Sequence, residues 1–271
     1  MSLLKKAKTL LREHRIFPKK RLGQNFMIDT ATLQRMVSYA SVNKEDIVLE
    51  VGAGLGFLTE LLSQQCKRVI AVEIDPQLIK VLEDQLHSLS NVELIHGDVL
   101  KVPVPLFNKV VSTPPYSISS PLLFWLLERK FDCAVLTFQR EFAERLNTPV
   151  GSSDYSRLTV NTYYRAEVEL LDRVPQEMFF PSPDVDSRIV HLKPREKPPF
   201  PVQDEKTFRE LVRVLFTQRN RKLRNAILPF LYSRGVPKKK AKQLADSLIF
   251  HDKRVRKLAP EDFGMLSNAL A

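Results

Sequence analysis

Cysteine is scarce in this 271-residue chain, and its two copies, Cys66 and Cys133, lie in separate segments without metal-type spacing. That excludes a disulfide scaffold and reads as buried thiols in a reducing compartment. The five histidines are scattered, so no metal site is expected. No run approaches the roughly 18 apolar residues of a membrane helix, and no signal-peptide core stands out. Glu13 and a shortage of serine and arginine in the basic stretch 1–20 weigh against a mitochondrial presequence. Internal repeats and low-complexity tracts are missing too. These absences predict a cytoplasmic protein with no membrane attachment, and a monomer is expected.

Acidic charge is the last shortfall: 31 Asp and Glu against 42 Lys and Arg leave a net charge of +11. A surplus of this sign fits a polyanionic partner. The cations cluster at Lys5–Arg21, Arg219–Arg224, Lys238–Lys242 and Lys253–Lys257. Each cluster alone reads as a solvated face; several around one cleft make a nucleic-acid track. The hydrophobic share of 44% is enough for a sizeable core, and the length suits one large α/β domain with a small appendage.

The chain is organised around Val110-Val111-Ser112-Thr113-Pro114-Pro115-Tyr116. Two β-branched residues end a buried strand, and the prolines forbid its continuation. Such a turn presents carbonyls, the Thr113 hydroxyl and the Tyr116 ring to a cleft, which suits a flat ring bearing an amino group. Taken alone, a strand-end turn with a half-buried tyrosine explains it equally well, so the neighbours decide.

Upstream, Ile47–Val51 reads as an apolar strand running into Gly52-Ala53-Gly54-Leu55-Gly56, with a helix beginning near Leu58. This is the first β-loop-α of a doubly wound sheet. Phe57 stands where a dinucleotide fingerprint wants its third glycine, the residue that helps bring a helix end against a pyrophosphate. A nucleoside cofactor without phosphates does not need that approach. A second strand, Arg68–Glu73, ends in an acid placed to accept from both ribose hydroxyls. A third, Val92–Ile95, leads to Asp98, which can accept from an adenine amino group. Glycine loop, two acids and proline turn, each after its own strand, form the pattern of an S-adenosylmethionine-dependent methyltransferase.

Before the first strand, Gln24-Asn25 precedes a predicted helix with Asp29 or Thr30 as its N-cap and Leu33, Met36, Val37 and Ala40 on one face. The pair reads either as a capping loop or as a lid over a ligand. Leu122–Leu127 and Phe138–Leu146 read as amphipathic helices and Cys133–Thr137 as a buried strand. Leu158–Tyr164, Ala166–Leu171 and Ser187–Leu192 are expected to complete the sheet. Residues 194–201, with four prolines, form the predicted linker. Beyond it Phe208, Leu211, Val212 and Leu215 have helical spacing, in a segment without β signal. The expected division is therefore residues 1–195, a catalytic α/β domain with a basic segment 1–24, and 196–271, a small helical RNA-binding domain.

Over nearly its whole length the chain resembles the ribosomal small-subunit RNA adenine dimethyltransferases, relatives of the erythromycin-resistance methyltransferases. The resemblance rests on Leu22-Gly23-Gln24-Asn25-Phe26, the glycine loop, Glu73-Ile74-Asp75, Gly97-Asp98 and Tyr116–Pro121. It continues through Gln139–Leu146, Tyr155–Leu158, Val174-Pro175, Phe179–Ser187 and Phe216–Asn225, the last matching a basic helix of the family. It implies a Rossmann-like class I sheet and N6 methylation of adenines in immature small ribosomal subunits. Gly52, Gly54 and the Gln24-Asn25 segment are then expected to hold the methionine end of the cofactor, with Met27 and Thr113 also among the cofactor-binding residues. Glu73 takes its ribose, Ile74 and Val99 enclose its adenine, and Asp98 accepts from the adenine amine. Thr113, Pro114 and Tyr116 face the target base, Phe179 is the candidate opposite wall, and Arg219, Arg221, Lys222 and Arg224 are candidate phosphate contacts.

One position departs from the family: its Asn-Leu/Ile-Pro-Tyr turn is here Thr113-Pro114-Pro115-Tyr116. That Asn supplies a carbonyl to the target amine, so the departure opens alternatives. One is a catalytically weak or inactive RNA-binding assembly factor that keeps the fold. Another is a methyltransferase acting on large-subunit RNA or DNA.

Overall fold

The computed structural model describes residues 1–271. Its strands are β1 (Phe26–Met27), β2 (Ile47–Val51), β3 (Arg68–Glu73), β4 (Val92–His96), β5 (Lys109–Ser112), β6 (Cys133–Gln139), β7 (Ala166–Val174), β8 (Phe179–Phe180) and β9 (Ser187–Pro194). Seven of them form one sheet in the order β4-β3-β2-β5-β6-β9-β7, while β1 and β8 form a separate antiparallel pair. The pairs β2/β3, β3/β4, β2/β5 and β5/β6 are parallel, and β9 is antiparallel to β6. Strands β2, β3, β5 and β6 carry near-continuous apolar runs because helices cover both faces of a parallel sheet.

The strand order reverses between β2 and β5, which makes that gap the switch point where an open α/β sheet admits a ligand. The two strands are in register only at Val48↔Lys109 and Leu49↔Val110. Further along, the buried Ser112 side chain replaces the ladder. Its hydroxyl donates to the Val51 carbonyl (2.6 Å) and accepts from the Val51 N–H (3.2 Å). The strand ends are thus tied while their backbones part.

The chain divides into two compact units, Met1–Ala143 with Val168–Pro194, and Glu144–Glu167 with Arg195–Ala271. The second unit begins after the predicted linker start, but it also takes 144–167, which a cut at residue 195 assigns to the first. Tyr155, Val160 and Tyr164 are the reason: they belong to the core of Phe208, Leu211, Phe230 and Phe263.

Three local expectations need correction. Residues 157–165 form a helix rather than a strand. Their β-branched and aromatic composition reads as a strand, but the Ser156 N–H donates to the Thr159 hydroxyl at the helix start, and burial of six of the nine residues overrides propensity. The strand at Cys133 runs on to Gln139, so the following helix starts at Arg140 rather than Phe138. The basic stretch from Arg219 to Lys222 is not helical either; only Leu223–Ala226 is. Its backbone pairs across the fold instead, Leu223 N–H to Lys253 O, Val255 N–H to Arg221 O and Arg256 N–H to Arg219 O. Elsewhere the expected caps and faces are present. Asp29 caps Thr30–Tyr39 through the Thr32 N–H (2.9 Å), and Phe208, Leu211, Val212 and Leu215 are all buried on Glu205–Phe216.

Candidate functional site

Two contiguous cavities open at the carboxyl ends of β2, β3, β4 and β5. The wider, about 230 Å³, is lined by Gly52, Glu73, Ile74, Asp98, Val99 and Pro115 among others. The narrower, about 50 Å³, is lined by Gln24, Asn25, Met27, Glu50, Gly54 and Thr113, with Gly52, Glu73, Ile74 and Pro115 shared with its neighbour. All ten residues expected to hold a cofactor therefore border one or the other.

The glycines are there for space. A Cβ on Gly52 would stand 2.9 Å from Pro115 Cδ, so only glycine lets the loop lie against the proline turn. Gly54 has φ +59°, and a Cβ there would meet the Phe26 ring at 3.1 Å. Loop, turn and the Phe26 segment are in mutual contact.

Glu73 is buried, with both oxygens engaged. Oε2 accepts from the Gly54 N–H (3.0 Å), and Oε1 from the N–H groups of Ile74 and Asp75 (2.9 Å each). Burial raises its pKa, while these three bonds pull the other way. A carboxylate has about four lone-pair positions, so one remains for a ligand hydroxyl. Asp98 accepts from the Leu100 N–H (3.0 Å) and pairs with Lys101 (3.2 Å). Ile74 is half exposed and Val99 buried, as suits a mouth and a floor.

Gln24, which borders the narrow cavity, also has a structural job. Its Oε1 accepts from the Lys19 N–H and its Nε2 donates to Asp75 Oδ2, both at 2.7 Å. Lys19 Nζ reaches Asp75 Oδ1 at 2.8 Å. Burial pushes the Asp75 carboxyl up, but the Lys19 and Gln24 bonds outweigh it and leave the pKa below its ordinary value. Gln24 therefore fastens the segment around it to the end of β3, while Gln24, Asn25 and Met27 all line the narrow cavity. Asp75 also caps the helix Pro76–Leu86, accepting from the Gln77 N–H (3.0 Å).

Glu50 escaped the sequence reading. It is an acid inside an apolar strand, 2% exposed, and bonded to the Thr59 hydroxyl at 2.6 Å. Burial pushes its pKa up to about 8, against the pull of that bond. It lines the narrow cavity as a neutral acid at pH 7. A lone carboxylate in a buried run was the available signal.

At the central turn Thr113 lines the narrow cavity, Pro115 lines both, and Pro114 is buried behind them. The Tyr116 hydroxyl is hydrogen-bonded to Ser187 Oγ at the start of β9. Burial pushes its pKa up to about 12, so it is a neutral phenol. Phe179 meets the Tyr116 ring edge-on, centroids 6.4 Å apart at 73°, and is itself buried in β8. It supports the tyrosine ring rather than facing it in parallel. In the second unit, Lys222 and Arg224 share Asp252, and Arg219 donates to the Ser152 carbonyl.

A doubly wound sheet with a glycine loop, two acids at successive strand ends and a cavity at its switch point defines a class I methyltransferase. The chain belongs to the ribosomal RNA adenine dimethylase family, whose model matches residues 17–271. It is 47% identical over 249 residues to a Methanosarcina acetivorans protein named probable ribosomal RNA small subunit methyltransferase A, covering 91% of each. A Thermococcus gammatolerans protein of the same name is 40% identical, over 94% of this chain and 90% of its own length. Among solved structures, a dimethyladenosine transferase from Plasmodium falciparum superposes with a TM-score of 0.76 at 32% identity, over 90% of this chain and 96% of its own. The 23S rRNA methyltransferase ErmE gives 0.66 at 30% identity, over 90% and 98%.

Proposed function

We propose that this chain transfers methyl groups from S-adenosylmethionine to N6 of adenines in small-subunit ribosomal RNA, acting on immature subunits. The observation that carries the reading is the pair of contiguous cavities sharing Glu73 and Pro115. One side has the acids and apolar walls a nucleoside needs, and the other ends at the turn that receives a base.

The cavity residues fit the cofactor. The wide cavity takes adenine between Ile74 and Val99, with Asp98 accepting from its amine. Glu73 stands at the junction, where the ribose hydroxyls fall. The narrow cavity takes the methionine end among Asn25, Met27, Gly52 and Gly54. When bound, the cofactor supplies an electrophilic methyl on a sulfonium and leaves as a neutral thioether.

The protein's contribution is alignment. An exocyclic amine attacking in line loses its proton readily once cationic, so no strong base is needed. Thr113 and the Pro114 carbonyl accept from the amine and favour the charge developing there. Tyr116, neutral and held by Ser187, offers its ring to the target base. The identities of 39–47% to relatives named small-subunit methyltransferases, against 30% to ErmE, favour the small subunit over the large.

Immature small subunits incubated with the protein and methyl-labelled S-adenosylmethionine test this. Label should appear in N6-methylated adenosine after nuclease digestion. No label in the small subunit, with or without added large subunits, would overturn the reading.

A further inference from the structure

The segment that leads into the site carries an exposed aromatic that neither fold nor cofactor needs. Phe17 is 84% exposed, although the helix before it, Leu3–Glu13, buries its own apolar face through Ala7, Leu10 and Leu11. That helix ends in a tight double bond: Ile16 N–H to Leu11 O (2.8 Å) and Arg15 N–H to Arg12 O (3.1 Å), with Arg15 at φ 54°. The geometry buries Ile16 and turns Phe17 out. Pro18 then restricts the Phe17 backbone to an extended form. Two residues on, Lys19 is fastened to buried Asp75. The ring is thus presented on a backbone held at both sides, so little ordering cost remains when something covers it.

Its surroundings name the partner. Between Glu13 and Asp29 there is no acidic residue, and Arg15, Lys20 and Arg21, within four residues of Phe17 in the chain, are exposed. Further along, Arg21 and Leu22 line the wide cavity, and a Cβ on Gly23 would stand 3.4 Å from Pro115. Exposed cations with a rigid aromatic among them, on a segment that runs to the base-receiving turn, match single-stranded nucleic acid and not an apolar protein face.

We infer that Phe17 is a stacking platform for an unpaired nucleotide flanking the target adenine, with Lys20 and Arg21 on its phosphates. This rests on the reading that the chain acts on RNA, and deepens it. The ring stacks on any base and so positions the strand without reading its sequence.

A fluorescein-labelled single-stranded RNA of about ten nucleotides, titrated at several salt concentrations, separates stacking from charge. Phe17→Ala should weaken binding about 5- to 100-fold, the range for loss of one stacked base, and leave the slope of log K against log salt unchanged. Phe17→Trp should bind at least as well as wild type, and Lys20→Gln should flatten the slope. Leu106→Ala, at a residue 91% exposed in the loop before β5, should change nothing. The melting temperature of Phe17→Ala should equal that of wild type. The platform is overturned by Phe17→Ala binding as wild type does, by alanine and tryptophan losing affinity equally, or by a fall in melting temperature. If the wild type transfers no methyl while Phe17→Ala still weakens RNA binding, the enzymatic reading fails and the platform stands.

Discussion

At the scale of single residues, the site depends on where each carboxylate's charge is held. Glu73 keeps its place through three backbone N–H bonds, Asp75 through Lys19 and Gln24, and Glu50 by staying protonated. Glu50 has a consequence for stability. Unfolded it titrates near 4.5, and folded near 8. Below the lower value both states hold the proton and the residue costs nothing. Between the two values the folded protein keeps a proton that the unfolded chain releases, so stability falls as pH rises through that window. Above it the cost is complete. Glu50→Gln keeps a bond to Thr59 without titrating. Its melting temperature should pull ahead of wild type between pH 4.5 and 8, by on the order of 5 °C at the upper end. Parallel melting curves across that range would show that Glu50 is ionised in the fold.

At the scale of elements, the corrected stretch around Arg219–Arg224 changes what its charges can do. As a turn paired with 253–256, it spends Arg219 on a backbone carbonyl and holds Lys222 on Asp252. Arg221 and Arg224 remain the best placed for phosphates, Arg224 sharing Asp252. Arg221→Gln with Arg224→Gln should reduce the salt slope of RNA binding by about 1–2 units. An unchanged slope would assign this stretch to an ordinary solvated surface. The same stretch shows the limit of sequence reading. Strands β2, β3, β4 and β5 were legible because apolar runs end in glycines, acids or prolines, and Glu205–Phe216 because its apolar residues repeat at helical spacing. What hid was set by partners distant in sequence. Lys253 and Val255 take the backbone bonds of 221–223, and the core around Phe208 turns strand-like 157–165 into a helix. Ser112 and Ser187 carry no local signal at all, since each acts on a residue about 60 to 70 positions away.

At the scale of the whole molecule, the first unit carries both cavities and the turn, and the second is a helical body rich in cation clusters. A net charge of +11 suits a protein whose family acts on ribosomal RNA, a polyanion. The account stands or falls on whether the turn works with threonine. A hydroxyl is shorter than an amide and must turn its own proton away to accept from N6. Losing one whole preorganised partner costs about 10²–10³ in rate, which bounds the cost of a partial loss, and a bridging water recovers some of it. The decisive measurement is the single-turnover rate of methyl transfer to immature small subunits, for wild type and Thr113→Asn, at saturating S-adenosylmethionine. Both should transfer methyl to N6, the Asn variant faster by up to about 10²–10³-fold. A silent wild type rescued by Thr113→Asn would make the natural chain an RNA-binding assembly factor, and a slower Thr113→Asn would contradict the role given to this turn.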